Sequence, residues 1–300
     1  TLARKNKTPS DTLDFAADKM ISPQFLGQQI LAKDSAADIP MDLPTDLSAL
    51  GASSPEKILV VVPHPDDEII TAAGVIYQAL NSGKQVKVVY MTNGDFGSSL
   101  LGMLRQNEAI NGMKVLGLRQ ENLLFLSYPD GYLHEFFDRY QNATDSLITA
   151  FNVGATYGVG PSTDFHTLRF GAPAKYNKVN LILDLKEILR TFMPDHIILP
   201  LEFDQHVDHI ATYYFVKQAL IELHKDLPQL EPTLHRFLVH WKDDKWPRKA
   251  ATDAIEGLDV KDSKAGAISP PSDWASAFPN NHLDWSKRER VPVPPEMLST

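Results

Sequence analysis

The sequence predicts an α/β fold: a Rossmann-like, doubly wound, mostly parallel sheet with helices on both faces, an N-terminal arm and a C-terminal tail that wraps the domain. Three observations predict it. Short β-branched apolar runs recur along the chain, they are of the kind buried on both faces of a parallel sheet, and stretches with helical apolar spacing alternate with them.

Residues 1–55 are polar, lack a sustained period and are punctuated by Pro40 and Pro44, so they read as an irregular arm with one short helix around 25–32. Regular structure starts with KILVVV at 57–62, expected as the first strand. Helical spacing over 68–80 and the run QVKVVYM at 85–91 complete a βαβ unit. A helix is expected over 103–116, ended by Gly117, and a third strand at 122–126. After an irregular stretch containing a Gly-rich insertion (152–176), the alternation resumes with a helix at 180–192, a strand at 196–201 and a helix at 209–224. LHRFLVHW at 234–241 adds one more strand. The expected catalytic domain spans 56–245. Residues 246–300, rich in Pro with interspersed Trp, are expected to pack on it, pinned by Trp274 and Trp285. The aromatics of 128–140 are expected in packing clusters.

Composition removes several functions. The 300 residues carry 29 Lys+Arg against 38 Asp+Glu, a net charge of -9, which is a poor footprint for a nucleic-acid backbone. No stretch approaches the roughly 18 apolar residues of a membrane span, so a soluble chain is expected. The absence of cysteine excludes disulfides, thiolate zinc sites, iron–sulfur clusters and thiol nucleophiles, so any metal must be held by His and carboxylate. Thr1 in place of an initiator Met fits a chain exported with its signal peptide removed, periplasmic for example, and equally a cytoplasmic one. No protein partner is predicted.

Two clusters carry chemistry. The first strand runs into Pro63-His64-Pro65-Asp66-Asp67-Glu68, a loop at the carboxyl end of a central strand, where open α/β sheets place ligands. Three carboxylates and an imidazole suit a cation, whereas a phosphate site would want glycines. The blander reading, in which these acids only complement the following helix dipole, is outweighed by the second cluster. Glu202-Phe203-Asp204-Gln205-His206-Val207-Asp208-His209 occupies another strand-to-helix junction at the same sheet edge. Its two histidines are three apart, on one face of a helical turn. Zinc accepts His nitrogen and carboxylate oxygen, and a catalytic zinc keeps about three protein ligands plus a water whose pKa it lowers from about 15.7 toward 7. Of adjacent Asp66 and Asp67, one can bind metal while the other acts as general base, and the second His can stabilise the oxyanion or protonate the leaving amine. Metal-assisted hydrolysis follows.

These residues resemble the PIG-L/LmbE-like family of zinc-dependent de-N-acetylases, which remove acetyl groups from N-acetylglucosaminyl and related conjugates. Met91-Thr92-Asn93-Gly94-Asp95, Arg105, Glu108, Leu116-Gly117 and Tyr128-Pro129-Asp130-Gly131 extend the likeness over about residues 57–242. The resemblance implies zinc, or another divalent transition metal, held by His64, Asp67 and His209. It implies Asp66 as base, His206 as oxyanion stabiliser or general acid, and Asp208 orienting His206 by a hydrogen bond. Arg105 and Asp130 become substrate contacts on an acetylated amino sugar. Some members carry a tyrosine two residues before the first His of the second motif; here that place is Asp204, so Tyr157 or another loop residue is expected to polarise the amide carbonyl instead. His166 is expected in a rim over the site, formed by the insertion. The other histidines, His240 among them, are expected to be structural or solvated.

Two alternatives compete with the hydrolase. A non-catalytic metal- or sugar-binding protein on the same scaffold would have no use for Asp66 beside a metal. Magnesium-dependent phosphoryl transfer ranks last, because hard magnesium would not recruit both His64 and His209.

Overall fold

The computed structural model describes residues 54–159, 163–240, Pro270 and Trp274. Five strands form one sheet: β1 (Lys57–Val62), β2 (Gln85–Thr92), β3 (Leu123–Tyr128), β4 (His196–Pro200) and β5 (Thr233–Phe237). Their order is β3-β2-β1-β4-β5, and every neighbouring pair is parallel. The doubly wound α/β class is therefore observed. The helices are α1 (Asp67–Asn81), α2 (Ser99–Val115), the short α3 (Glu135–Asp138) and α4 (Phe165–Phe170), α5 (Lys178–Phe192) and α6 (Val207–His224), with a 3-10 turn at Gln120–Asn122.

The pleat explains why the strands read as continuous apolar runs. Leu59 and Val61 of β1 and Val89 and Met91 of β2 point into one core with α5 and α6. Ile58, Val60 and Val62 point into a second core with Ala72 and Ile76 of α1 and Met113 of α2. Both faces are covered, so neither parity of the strand tolerates a polar side chain. Each fully buried Val or Ile contributes about 1.5–3 kcal/mol relative to exposure.

Polar caps set the helix starts. Ser98 Oγ accepts from Leu101 N–H at 3.2 Å, so α2 begins about a turn before the expected position. Asn177 Oδ1 accepts from Asn180 N–H at 2.9 Å and opens α5. Gly117 follows α2 at φ 88°, a left-handed position that favours glycine.

Tyr128, Phe136 and Phe137 are buried in the core, as the packing expectation had it. Trp274 joins the same cluster, packs against Phe137 and donates from Nε1 to Asp138 Oδ2 at 3.1 Å. The expected helix around 25–32, the arm up to residue 53 and the rest of the tail, Trp285 included, lie outside the described residues. Among the described residues, no helix is long and apolar enough to cross a membrane.

Candidate active site

The strand order reverses direction of growth between β1 and β4, and such a switch point opens a crevice beyond the carboxyl ends of the two strands. The β1–α1 and β4–α6 loops meet there. An open cavity of about 240 Å³ there is lined by His64, Asp66, Asp67, Ile70, Gly94, Arg105, Asp130, His206, Val239 and His240. The two motifs, 63–68 and 202–209, are separated by 133 residues in sequence.

The β1–α1 loop is anchored by Thr92, whose N–H and hydroxyl both donate to Pro63 O, at 2.9 and 2.8 Å. Asp66 is the N-cap of α1 yet does not cap it with its side chain, because its backbone lies at φ 146°, ψ -28°. This left-handed φ in a non-glycine residue is strained. It is held by Glu68, whose Oε2 accepts the Asp66 N–H at 2.9 Å, and it directs the exposed Asp66 carboxylate to an ion pair with Arg105 from α2. Asp67, one residue on, is turned the other way and buried. The two adjacent carboxylates thus point in different directions.

Asp67 Oδ2 lies 3.3 Å from His64 Nδ1 and 3.3 Å from His209 Nε2. His209 is fully buried in the first turn of α6, and neither of its ring nitrogens makes a well-directed hydrogen bond. His64 has the opposite nitrogen, Nε2, 3.3 Å from Asp208 Oδ2 and 3.2 Å from Asp130 Oδ1. Asp208 is fully buried and also accepts from Gly131 N–H at 2.6 Å and Leu133 N–H at 3.1 Å, which fixes the loop after β3 against the site. The ring centroids of His64 and His206 are 4.6 Å apart, and each lies 5.4 Å from that of His209.

Electrostatics favour positive charge between the imidazoles. Burial pulls the His64 pKa down, but Asp130, Asp208 and Asp67 outweigh it and hold His64 well above its ordinary value. His209 is likewise raised: Asp204 and Asp67 overcome its burial. Asp67 is held far below the carboxylate range by His209 and His64 in spite of burial. His206 goes the other way. Burial, with the neighbouring His64, His209 and His240, keeps its pKa low even though Asp208 is near.

Ligand atoms of His64, His206 and His209 lie within 4.8 Å of one another, as do those of Asp67, His209 and His240, and those of His64, Asp130 and Asp208. Metal bonds of about 2.0–2.1 Å in a tetrahedral site set neighbouring ligand atoms about 3.3 Å apart, the spacing that Asp67 Oδ2 has from both imidazoles. The donor set is nitrogen and carboxylate oxygen, and the ring nitrogen of His64 turned away from Asp67 faces carboxylates, the usual support of a ligating imidazole. Among the described residues these groups of nitrogen and carboxylate donors are close enough to hold a metal ion, and their chemistry suits a zinc-class one.

Several expectations change. Asp208 does reach His206, but through its backbone: Asp208 N–H donates to His206 Nδ1 at 3.3 Å, while the carboxylate serves His64. His206 is the N-cap of α6, and its ring takes the capping role that a Ser or Asp side chain often fills. His166 is not brought to the cavity; its Nδ1 lies 2.6 Å from Asp184 Oδ1 in a buried cluster with Tyr128, whose hydroxyl donates to Asp184 Oδ2 at 2.9 Å. Through His166 the described part of the insertion is tied to α5 and β3. The Tyr157 hydroxyl is committed to Asp95 Oδ2 at 2.7 Å and does not line the cavity. His240, expected among the structural histidines, lines the cavity with its ring centroid 4.8 Å from that of His209. The expected strand at 234–241 hid it: β5 ends at Phe237, so His240 falls just past a parallel strand, at the same edge as the two motif loops.

The family described as PIG-L, GlcNAc-PI de-N-acetylase, matches residues 59–220, just over half of the chain. The chain belongs to that family. A relative from Bacillus subtilis (strain 168), "Probable N-acetyl-alpha-D-glucosaminyl L-malate deacetylase 2", is 35% identical over 130 residues, which are 36% of this chain and 56% of the relative. The chain thus spans little more than half the length of that relative. Among solved structures, the conserved protein TT1542 from Thermus thermophilus is similar at 23% identity and TM-score 0.38, covering 60% of this chain and 63% of that one. An N,N'-diacetylchitobiose deacetylase from Pyrococcus horikoshii is similar at 21% identity and TM-score 0.39, covering 63% and 61%. The PIG-L match takes in both motif loops: it contains His64 to Asp67 and His206 to His209, and it stops short of His240.

Proposed function

We propose that this PIG-L member is a metal-dependent N-deacetylase that releases acetate from the N-acetyl amide of an acetylated amino sugar, in a glycoconjugate or polysaccharide. His64, Asp67 and His209 would hold zinc or another divalent transition metal, and Asp66 would be the general base. The observation that carries the reading is the convergence of His64 Nδ1 and His209 Nε2 on one oxygen of Asp67, each at 3.3 Å, with Asp66 lining the same cavity. Family membership and the relative named for an N-acetylglucosaminyl L-malate substrate support it.

When bound, such a metal supplies Lewis-acid polarisation of the amide carbonyl and makes water more acidic. The remaining steps belong to the chain. The Asp66 carboxylate, steadied by Arg105, takes a proton from the attacking water as its oxygen adds to the carbonyl carbon. His206 accepts the Asp208 N–H at Nδ1, so its neutral ring carries its proton on Nε2 and donates it as a hydrogen bond to the developing oxyanion, while the proton that Asp66 took from water passes to the nitrogen as the C–N bond breaks. Acetate and the free amine leave. Arg105 and Asp130, both in the cavity lining, would contact the sugar.

The test is acetate release from N-acetylglucosaminyl conjugates, chitooligosaccharides and an N-acetylated polysaccharide, before and after chelation. Turnover of at least one substrate class, lost on chelation and restored by zinc, is expected. No release from any of them, or release indifferent to chelation, would overturn the reading.

A further inference from the structure

We propose that Asp204 is a positioning residue of this centre, fixing His209 in the tautomer that leaves Nε2 free for a metal. The proposal rests on the metal-site reading above.

Asp204 lies in the β4–α6 loop and is fully buried. Oδ1 accepts from His206 N–H at 3.0 Å. Oδ2 accepts from Val239 N–H at 2.9 Å and His240 N–H at 3.2 Å. The same Oδ2 lies 3.3 Å from His209 Nδ1, on the side of the ring opposite Asp67. Three backbone donors stabilise the carboxylate as an anion without neutralising it. A carboxylate oxygen stands 3.3 Å from each ring nitrogen, and whichever nitrogen is bare sets lone pair against lone pair; a cation seated beside Asp67 would relieve that clash at Nε2 alone, so with the ion bound the imidazole proton belongs on Nδ1. That leaves the Nε2 lone pair on the side where Asp67 Oδ2 and His64 Nδ1 converge.

One buried group therefore sets the proton on His209 and, through His206 N–H, the start of α6. Through Val239 and His240 it also fixes where the chain leaves β5 at the rim of the cavity. The contact to His209 is loose in direction, so its effect is a bias of the ring's proton rather than a strong bond. Asp204 does not line the cavity.

The experiment measures zinc affinity of the metal-free chain by competition with a chromogenic chelator, for the wild type and for Asp204→Asn, with far-UV circular dichroism of both. Asn keeps the volume and an acceptor oxygen but removes the charge. Binding about 10–100-fold weaker at unchanged secondary structure is expected. Binding within threefold of wild type overturns the role of Asp204. Nitrogen-15 imidazole spectra of the zinc-loaded wild type give a second reading should the variant fail to fold. His209 carrying its proton on Nδ1 upholds the proposal, and a proton on Nε2 overturns it. A wild type that takes up no zinc overturns the metal-site reading, and this proposal with it.

Discussion

Asp66 and Glu68 show how single residues in the first motif are coupled. Asp66 is placed by a backbone conformation that costs an L-residue of order 1–3 kcal/mol. Replacing it by Ala or Gly removes the carboxylate in both cases, but only Gly relieves the strain. Asp66→Gly is therefore expected to be more stable than Asp66→Ala by about 1 kcal/mol after the chain-entropy cost of glycine, read from urea midpoints. Both variants should keep zinc while acetate release falls about 10²–10⁴-fold. Equal stability of the two would remove the strain argument, and undiminished turnover would remove Asp66 as base. Glu68, which holds the strained Asp66 N–H, is pushed by burial up to about 7. The sign follows from a carboxyl raised above its unfolded value near 4.5. Stability is full below that value, where both states are protonated, and falls as pH rises through 7, where the folded state alone resists ionisation. The fall is of order 3 kcal/mol at most. Glu68→Gln should flatten the decline between pH 5 and 8 in urea midpoints of the metal-free protein; an unchanged slope would assign it elsewhere.

At the scale of elements, the regular strands and long helices were legible because their patterns are strong. β1 and the helix 180–192 fall within two residues of expectation, since a strand buried on both faces and a cleanly amphipathic helix each leave a clear pattern. The start of α2 was not legible, because exposed Leu100 and Leu104 blur its apolar face and only the Ser98 cap marks its true beginning. α3 and α4 have four and six residues, too short for a period to show. Their placement depends on long-range polar contacts that no local pattern encodes. The buried His166–Asp184–Tyr128 cluster is one: it ties the insertion to α5 and β3. Asp184→Ala would strand two buried polar groups and is expected to cost about 3 kcal/mol in urea unfolding. Zinc affinity should stay within threefold of wild type. A large loss of metal with the fold intact would mean that the insertion belongs to the site after all.

For the whole molecule, the site is a product of topology. His64 and Asp67 come from one side of the switch point and His206 and His209 from the other, and the parallel strand order brings them to one edge. That much could be read from strand-to-helix junctions rich in His and Asp. Which carboxylate serves which imidazole could not, because adjacent aspartates are distinguished only by backbone angles, and Asp208 and Asp204 only by burial across the loop after β3 and the end of β5. The cysteine-free composition agrees with the outcome, since every candidate ligand is nitrogen or oxygen. The central claim is that His64, Asp67 and His209 share one zinc-class ion. Anomalous diffraction across the zinc edge, from crystals of the zinc-treated chain, tests it most directly. A single strong peak within about 2.3 Å of His64 Nδ1, Asp67 Oδ2 and His209 Nε2 is the predicted result. A peak held by other residues, or none in this cavity, would contradict the account.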